Sequence, residues 1–117
     1  MVKAKLIDAI EHNLGIPCYY ARSFPPENSN VERYVTFYCQ SSDDITVFDN
    51  RRHITNWSFE VRYFDDDPER REEMKYKLRD CLEEAKFFTD GIGWDILRTS
   101  ENDMDGFSMT FDYLELV

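Results

Sequence analysis

Apolar residues recur along this chain with two different periods, and the switches between them mark its elements. Over residues 3–14, Leu6, Ile10 and Leu14 stand four apart with Ile7 beside them, while Lys3, Lys5, Asp8 and Glu11 fill the other positions. That spacing predicts a short amphipathic helix. Gly15 suits its C-terminal cap, because glycine tolerates positive φ, and Pro17 blocks continuation. Residues 16–21 (IPCYYA) then predict a first strand, and 22–30 (RSFPPENSN) a loop with little to offer a core. From 32 to 40 the period becomes two: Val35, Phe37 and Cys39 share one face, Tyr34, Thr36 and Tyr38 the other. Both faces are fairly apolar, as in a central strand. SSDD (41–44) reads as a turn and ITVF (45–48) as a short strand ending in Asp49, Asn50, Arg51 and Arg52.

The strongest alternation covers 54–64. Trp57, Phe59, Val61 and Tyr63 occupy one face, and Ser58, Glu60 and Arg62 the other, so a one-residue slip would bury the charges. Asp65–Asp67, Pro68 and Glu69 next compose a helix start: a capping aspartate, a proline pre-set for the first turn, and acids at the positive end of the dipole. The helix is predicted to run to about Phe88, with Met74, Leu78, Cys81, Leu82 and Ala85 as its apolar stripe. A glycine-containing break (89–93) precedes a strand over 94–99, an acidic turn over 101–106 and a last strand over 107–117. Phe107, Met109, Phe111 and Tyr113 define the buried row of that strand. Leu114 and Leu116 fall out of phase, which predicts a bulge or a change of partner there.

The resulting order is α-β-β-β-α-β-β across one domain, residues 1–117. It predicts a two-layer α+β fold: a mostly antiparallel sheet of four to five strands with two helices on one side. Two helices cover one sheet face only. The aromatics Tyr34, Tyr38 and Phe64 sit opposite the main apolar rows, so a second copy of the chain is expected to shield the other face.

Charge narrows the partners. The chain carries 24 acidic and 14 basic residues, a net charge of −10, which disfavours binding nucleic acid through a basic surface. Cys18, Cys39 and Cys81 form no CxxC pair, and the expectation is three reduced, buried thiols in a cytosolic protein. No segment has the apolar run of a signal peptide or a membrane span. Chemistry is sparse. His12, one helical turn from Asp8, reads as a surface pair, and His53 as a solvated loop residue. The acidic runs near 65–67 and 102–105 lack the order of a calcium-binding EF-hand loop, and no phosphate-binding glycine loop or zinc-protease motif occurs. The expectation is no enzyme, no cofactor and no metal.

One resemblance extends over most of the chain. The stretch VFDNRRHITNWSFEVRYFDDDPERREEMKYKLRDCLEEAKFF resembles the tail terminator (tail completion) proteins of long-tailed bacteriophages and prophages. The shared features are a short strand ending in Asp49–Asn50, a long aromatic-rich strand over 54–64, and a helix opened by an acidic turn with Asp67, Glu69, Glu73 and Leu78 in pattern. The closing FSMTFDYLELV strand, the leading helix and the Gly-Ile-Pro turn at 15–17 also fit. RSFPPENSN and DNRRH depart from the family's usual loops. The resemblance implies a virion protein that forms a ring, usually a hexamer, on the end of the tail tube. Such a ring stops tube polymerisation and presents a surface to the head–tail connector protein, while DNA passes through its lumen unread. Candidate contacts to a neighbouring subunit or the tail tube are Pro25, Pro26, Tyr34, Tyr38, Asp49, Asn50, Arg51, Arg52 and Phe64. The competing readings are an acidic binding module (an inhibitor or DNA mimic) and another neck or connector subunit, with a small enzyme built on Asp8 and His12 behind them.

Overall fold

A computed structural model describes residues 2–20, 32–46, 53–91, 93–97 and 104–116. The elements follow the predicted order: α1 (Val2–Leu14), β1 (Cys18–Tyr20), β2 (Arg33–Thr46), β3 (His53–Asp65), α2 (Pro68–Glu84), β4 (Trp94–Ile96) and β5 (Gly106–Leu116). The strands make one five-stranded sheet, ordered β1-β2-β3-β5-β4, and the fold is α+β. Every pairing is antiparallel except that of β1 with β2. The connection over 21–32 is long enough for the crossover that a parallel pair requires.

The period-two rows decide which face is covered. Val35, Phe37, Phe59, Val61, Tyr63, Phe107, Met109, Phe111 and Tyr113 are all buried beneath the helices. Leu6 and Ile10 of α1 and Met74, Leu78, Cys81 and Leu82 of α2 complete this core. The helices also touch each other, where the Cys81 thiol donates to the Ala9 carbonyl at 3.2 Å. Lys75 joins α2 to the sheet edge. Lys75 is buried, with its ammonium near Phe107, and pairs with Glu72 at 3.0 Å and with Asp95 of β4 at 3.1 Å.

Four local expectations are corrected. SSDD is no turn. β2 runs through it, paired with β3 as Asp43 opposite Asn56 and Asp44 opposite Thr55, and the expected separate strand at 45 is its continuation. Aspartates are poor strand formers, but cross-strand pairing overrides propensity, and the Thr55 hydroxyl donates to the Asp44 carboxylate at 2.9 Å. A register shift between Cys39 and Ser41 makes Gln40 the extra residue. Second, α2 ends at Glu84, four residues before Phe88. Lys86 takes the left-handed conformation (φ 77°), so Phe87 N–H reaches Leu82 O (2.9 Å) and Lys86 N–H reaches Glu83 O (3.0 Å). That is a Schellman stop, and it turns Phe87 into the core against Leu82's end of the helix. Third, β4 covers Trp94–Ile96 and Leu97 lies beyond it, while residues 98–99 of the expected strand fall outside the described residues. Fourth, β5 carries no bulge: its pairing with β3 continues without a shift to Leu116 opposite Ile54. Leu114 and Leu116 are simply in phase with the other face.

β1 flanks β2 only over Val35–Phe37, and β4 flanks β5 only over Gly106–Ser108. Beyond these stretches β2, β3 and β5 run on as a narrower three-stranded extension, exposed along Gln40–Asp44. The molecule is accordingly elongated, 54 × 26 × 26 Å.

Candidate functional site

The sheet face turned away from the helices is where sequence and structure together place the chain's unexplained side chains. Cross-strand register assembles it row by row. At one end Tyr34 of β2 stands opposite Phe64 of β3, and their rings stack with centroids 5.0 Å apart. Tyr19 of β1 meets Tyr34 edge-on at 6.5 Å. At the opposite end Leu114 and Leu116 of β5 are 49% and 64% exposed. Trp94 of β4, opposite Ser108, is 52% exposed on the same face.

Between the apolar ends lies a polar centre. Glu60 is only 5% exposed although no helix covers it. Its side chain is enclosed by Tyr38, directly opposite, and by Arg62 and Ser108. Ser108 Oγ donates to Glu60 Oε1 at 2.9 Å, and Arg62 Nη2 lies 2.8 Å from Oε2 as an ion pair. The Arg62 guanidinium also sits 5.4 Å from the Tyr38 ring centre. Hydrogen bonding to Glu60, helped by burial, holds the Tyr38 phenol above its ordinary pKa. Three buried polar atoms in the described structure make no well-formed hydrogen bond: Asn56 Oδ1, Arg62 Nε and Glu60 Oε2, the last held only by its ion pair with Arg62. All three belong to this face.

The structure therefore brings together Tyr34, Tyr38 and Phe64, each half-buried, as residues of one surface. Their aromatic cluster is narrower than a continuous apolar face, because Ser58, Glu60, Arg62, Ser108, Thr110 and Asp112 occupy the middle. Pro25, Pro26, Asp49, Asn50, Arg51 and Arg52 lie outside the described residues. Trp94, Leu114 and Leu116 were not anticipated as surface features. The out-of-phase leucines were visible in the sequence, but a bulge explained them equally well until the β3–β5 register was known. Glu60 could not be foreseen as buried, since a single strand's pattern says nothing of the neighbours flanking it.

A second arrangement concerns β3's junction with α2. Asp65 is wholly buried and accepts from Arg70, Tyr63 and the Asp67 N–H. Asp67 then caps α2 by accepting from the N–H groups of Glu69 and Arg70. The adjacent capping geometry makes this a structural joint. Among the described residues no group of three or more histidines, cysteines, aspartates or glutamates is placed to hold a metal ion, and no helix is long and apolar enough to cross a membrane. His12 is exposed on α1. No protein-family model matches the chain, and no curated protein matches it.

Proposed function

We propose that this chain is an assembly subunit that works by stacking copies of itself through the uncovered sheet face, as a ring of the phage tail-terminator type. In that reading the ring caps the tail tube, ends its polymerisation and joins tail to head. The observation that carries the proposal is the location of the buried polar atoms that make no hydrogen bond. Nearly all buried polar groups in folded proteins find partners. Here the three that make no hydrogen bond, one of them (Glu60 Oε2) held by its ion pair with Arg62, share one face with Trp94, Leu114 and Leu116, which are more exposed than core-forming residues of their size. A partner laid on that face would cover the apolar ends and supply hydrogen bonds to the centre. The narrow β2-β3-β5 extension supports the same reading, since it offers long strand edges without a covering helix.

The acidic-mimic alternative draws on the net charge of −10. A phosphate mimic needs a continuous acidic face. The outer face of α2 instead interleaves Glu69, Glu72, Glu73 and Asp80 with Arg71, Lys77 and Arg79, so that surface carries both signs.

Light scattering coupled to size exclusion, with negative-stain microscopy, tests the ring. The expected result is a discrete closed oligomer, alone or on isolated tail tubes. The double variant Leu114→Asp/Leu116→Asp, which touches only exposed side chains, is expected to be folded and monomeric. A wild-type chain that stays monomeric at all concentrations and ignores tail tubes overturns the reading.

A further inference from the structure

The connection between α2 and β4 wraps around the outer edge of β5 and leaves a cleft of about 430 Å³ against the sheet. Phe88, Thr89, Asp90, Gly91, Gly93, Trp94, Thr110 and Asp112 line it. Its construction follows from two anchor points. Phe88 and Asp112 exchange both main-chain hydrogen bonds, at 2.9 and 2.8 Å. Four residues back along β5, Gly93 lies so close to the Ser108 carbonyl that a Cβ would stand 1.7 Å from that oxygen. Between these anchors Thr89, Asp90 and Gly91 line the cleft. Ser108 and Asp112 both turn main-chain groups to this edge, so Thr110, midway between them, does the same by strand alternation. No residue of β4 pairs with Thr110.

The walls have a definite chemistry. Phe88 is 44% exposed and Trp94 about half exposed, an unusual expenditure of aromatic surface in a connection and a three-residue strand. Asp90 and Asp112 contribute two carboxylates and Thr110 a hydroxyl, while the Thr89 hydroxyl is engaged with the Gly91 main chain. No described lining residue is basic. A cavity of this size is in the range that holds a ligand group, about 300–1,000 Å³. Aromatic faces attract cations, and carboxylates pair best with a planar guanidinium that donates several N–H groups at once.

The geometry points to this cleft as a docking site for an arginine side chain presented by a protein partner, its guanidinium held by Asp90 and Asp112 against Phe88 and Trp94. Charge complementarity selects the occupant: an acidic, aromatic-walled recess with hydrogen-bond acceptors and no cation of its own. Trp94, Thr110 and Asp112 also belong to the uncovered sheet face, so the cleft adjoins the surface over which copies would stack; binding of a single arginine side chain and the oligomeric state are read by separate measurements, and either idea can fail without the other.

Nuclear magnetic resonance on the full chain tests it, with N-acetyl-arginine amide as probe and N-acetyl-citrulline amide as its neutral counterpart. Saturable shifts are expected at the Trp94 indole N–H and the Gly91 and Gly93 amides with the arginine probe, in the millimolar range of a single side chain, and none with citrulline. Asp90→Asn with Asp112→Asn is expected to weaken binding about tenfold, the loss of charge assistance from two contacts. The fold should survive, since the Phe88–Asp112 bridge uses main-chain atoms. Should the double variant unfold, Asp90→Asn alone, an exposed position, is expected to weaken binding measurably. Equal responses to arginine and citrulline, no saturable shift at these positions, or unweakened binding by the folded variants overturns the assignment.

Discussion

The guanidinium of Arg70 grips both carboxylate oxygens of Asp65, a residue with no exposed surface, across the junction between β3 and α2. Arg71 adds a bond to the Asp65 carbonyl at 2.7 Å, and the Asp65 N–H donates to Asp105. One residue thus ties the end of the strand to the start of the helix through its carboxylate, and to the segment before β5 through its main chain. Asp65→Ala strands a buried Tyr63 hydroxyl and a partly buried guanidinium. We expect it to cost about 3 kcal/mol, read from the urea midpoint.

The same joint sets an acid limit. Burial alone would raise the Asp65 pKa, but hydrogen bonds from Arg70, Tyr63 and the Asp67 N–H outweigh it and hold the folded value below the ordinary one. The unfolded chain therefore binds this proton first. Its stabilising contribution is complete above the unfolded carboxylate pKa, about 4, and is lost as pH falls through the lower folded value. Urea midpoints measured from pH 6 down to pH 2 should fall more steeply for the wild type than for Asp65→Asn. Parallel curves would show that the carboxylate contributes nothing to the acid limb.

Lys86 holds φ at 77° to let Phe87 turn inward, a conformation that costs a side chain about 1 kcal/mol and glycine almost nothing. Lys86→Gly should therefore stabilise the fold, by up to about 1 kcal/mol, less the entropy glycine adds to the unfolded chain. A calorimetric midpoint that rises by a few degrees checks it, and a fall would mean that the lysine side chain makes a contribution larger than its strain.

Gly93 combines φ of 75° with the Ser108 carbonyl in the space a Cβ would need. Gly93→Ala should push β4 off β5 and cost about 2 kcal/mol or more. Hydrogen exchange localises the effect: amides of Trp94–Ile96 should lose protection while those of β3 keep theirs.

The three thiols should separate by reactivity. Burial, with Glu11 nearby, pushes the Cys18 thiol up to about 12, and burial also raises Cys81, which donates to the Ala9 carbonyl. Cys39 is only half-buried at the bulge. Brief native alkylation at pH 8 followed by peptide mapping should find the adduct on Cys39 first. Modification of Cys18 at an equal rate would contradict the described burial.

How much of this was legible beforehand can be judged element by element. Local pattern was enough for β3, whose alternation admits one register, and for the start of α2, where Asp67 and Pro68 act on the backbone within one turn. It was also enough for the element order and the helix-covered rows, because a period of two or 3.6 is a property of consecutive residues. What failed had non-local causes. The aspartates of SSDD lie in a strand because β3 pairs with them. α2 stops early because a core position awaits Phe87, and no glycine announced it. Leu114 and Leu116 looked like a defect in one strand and are regular members of a face that only the alignment of β5 on β3 creates. Composition and spacing determined the layers of this protein. Tertiary structure decided what the uncovered layer presents, since burying Glu60, exposing Trp94 and closing a cleft over Thr110 each depend on strands distant in the chain being brought 5 Å apart.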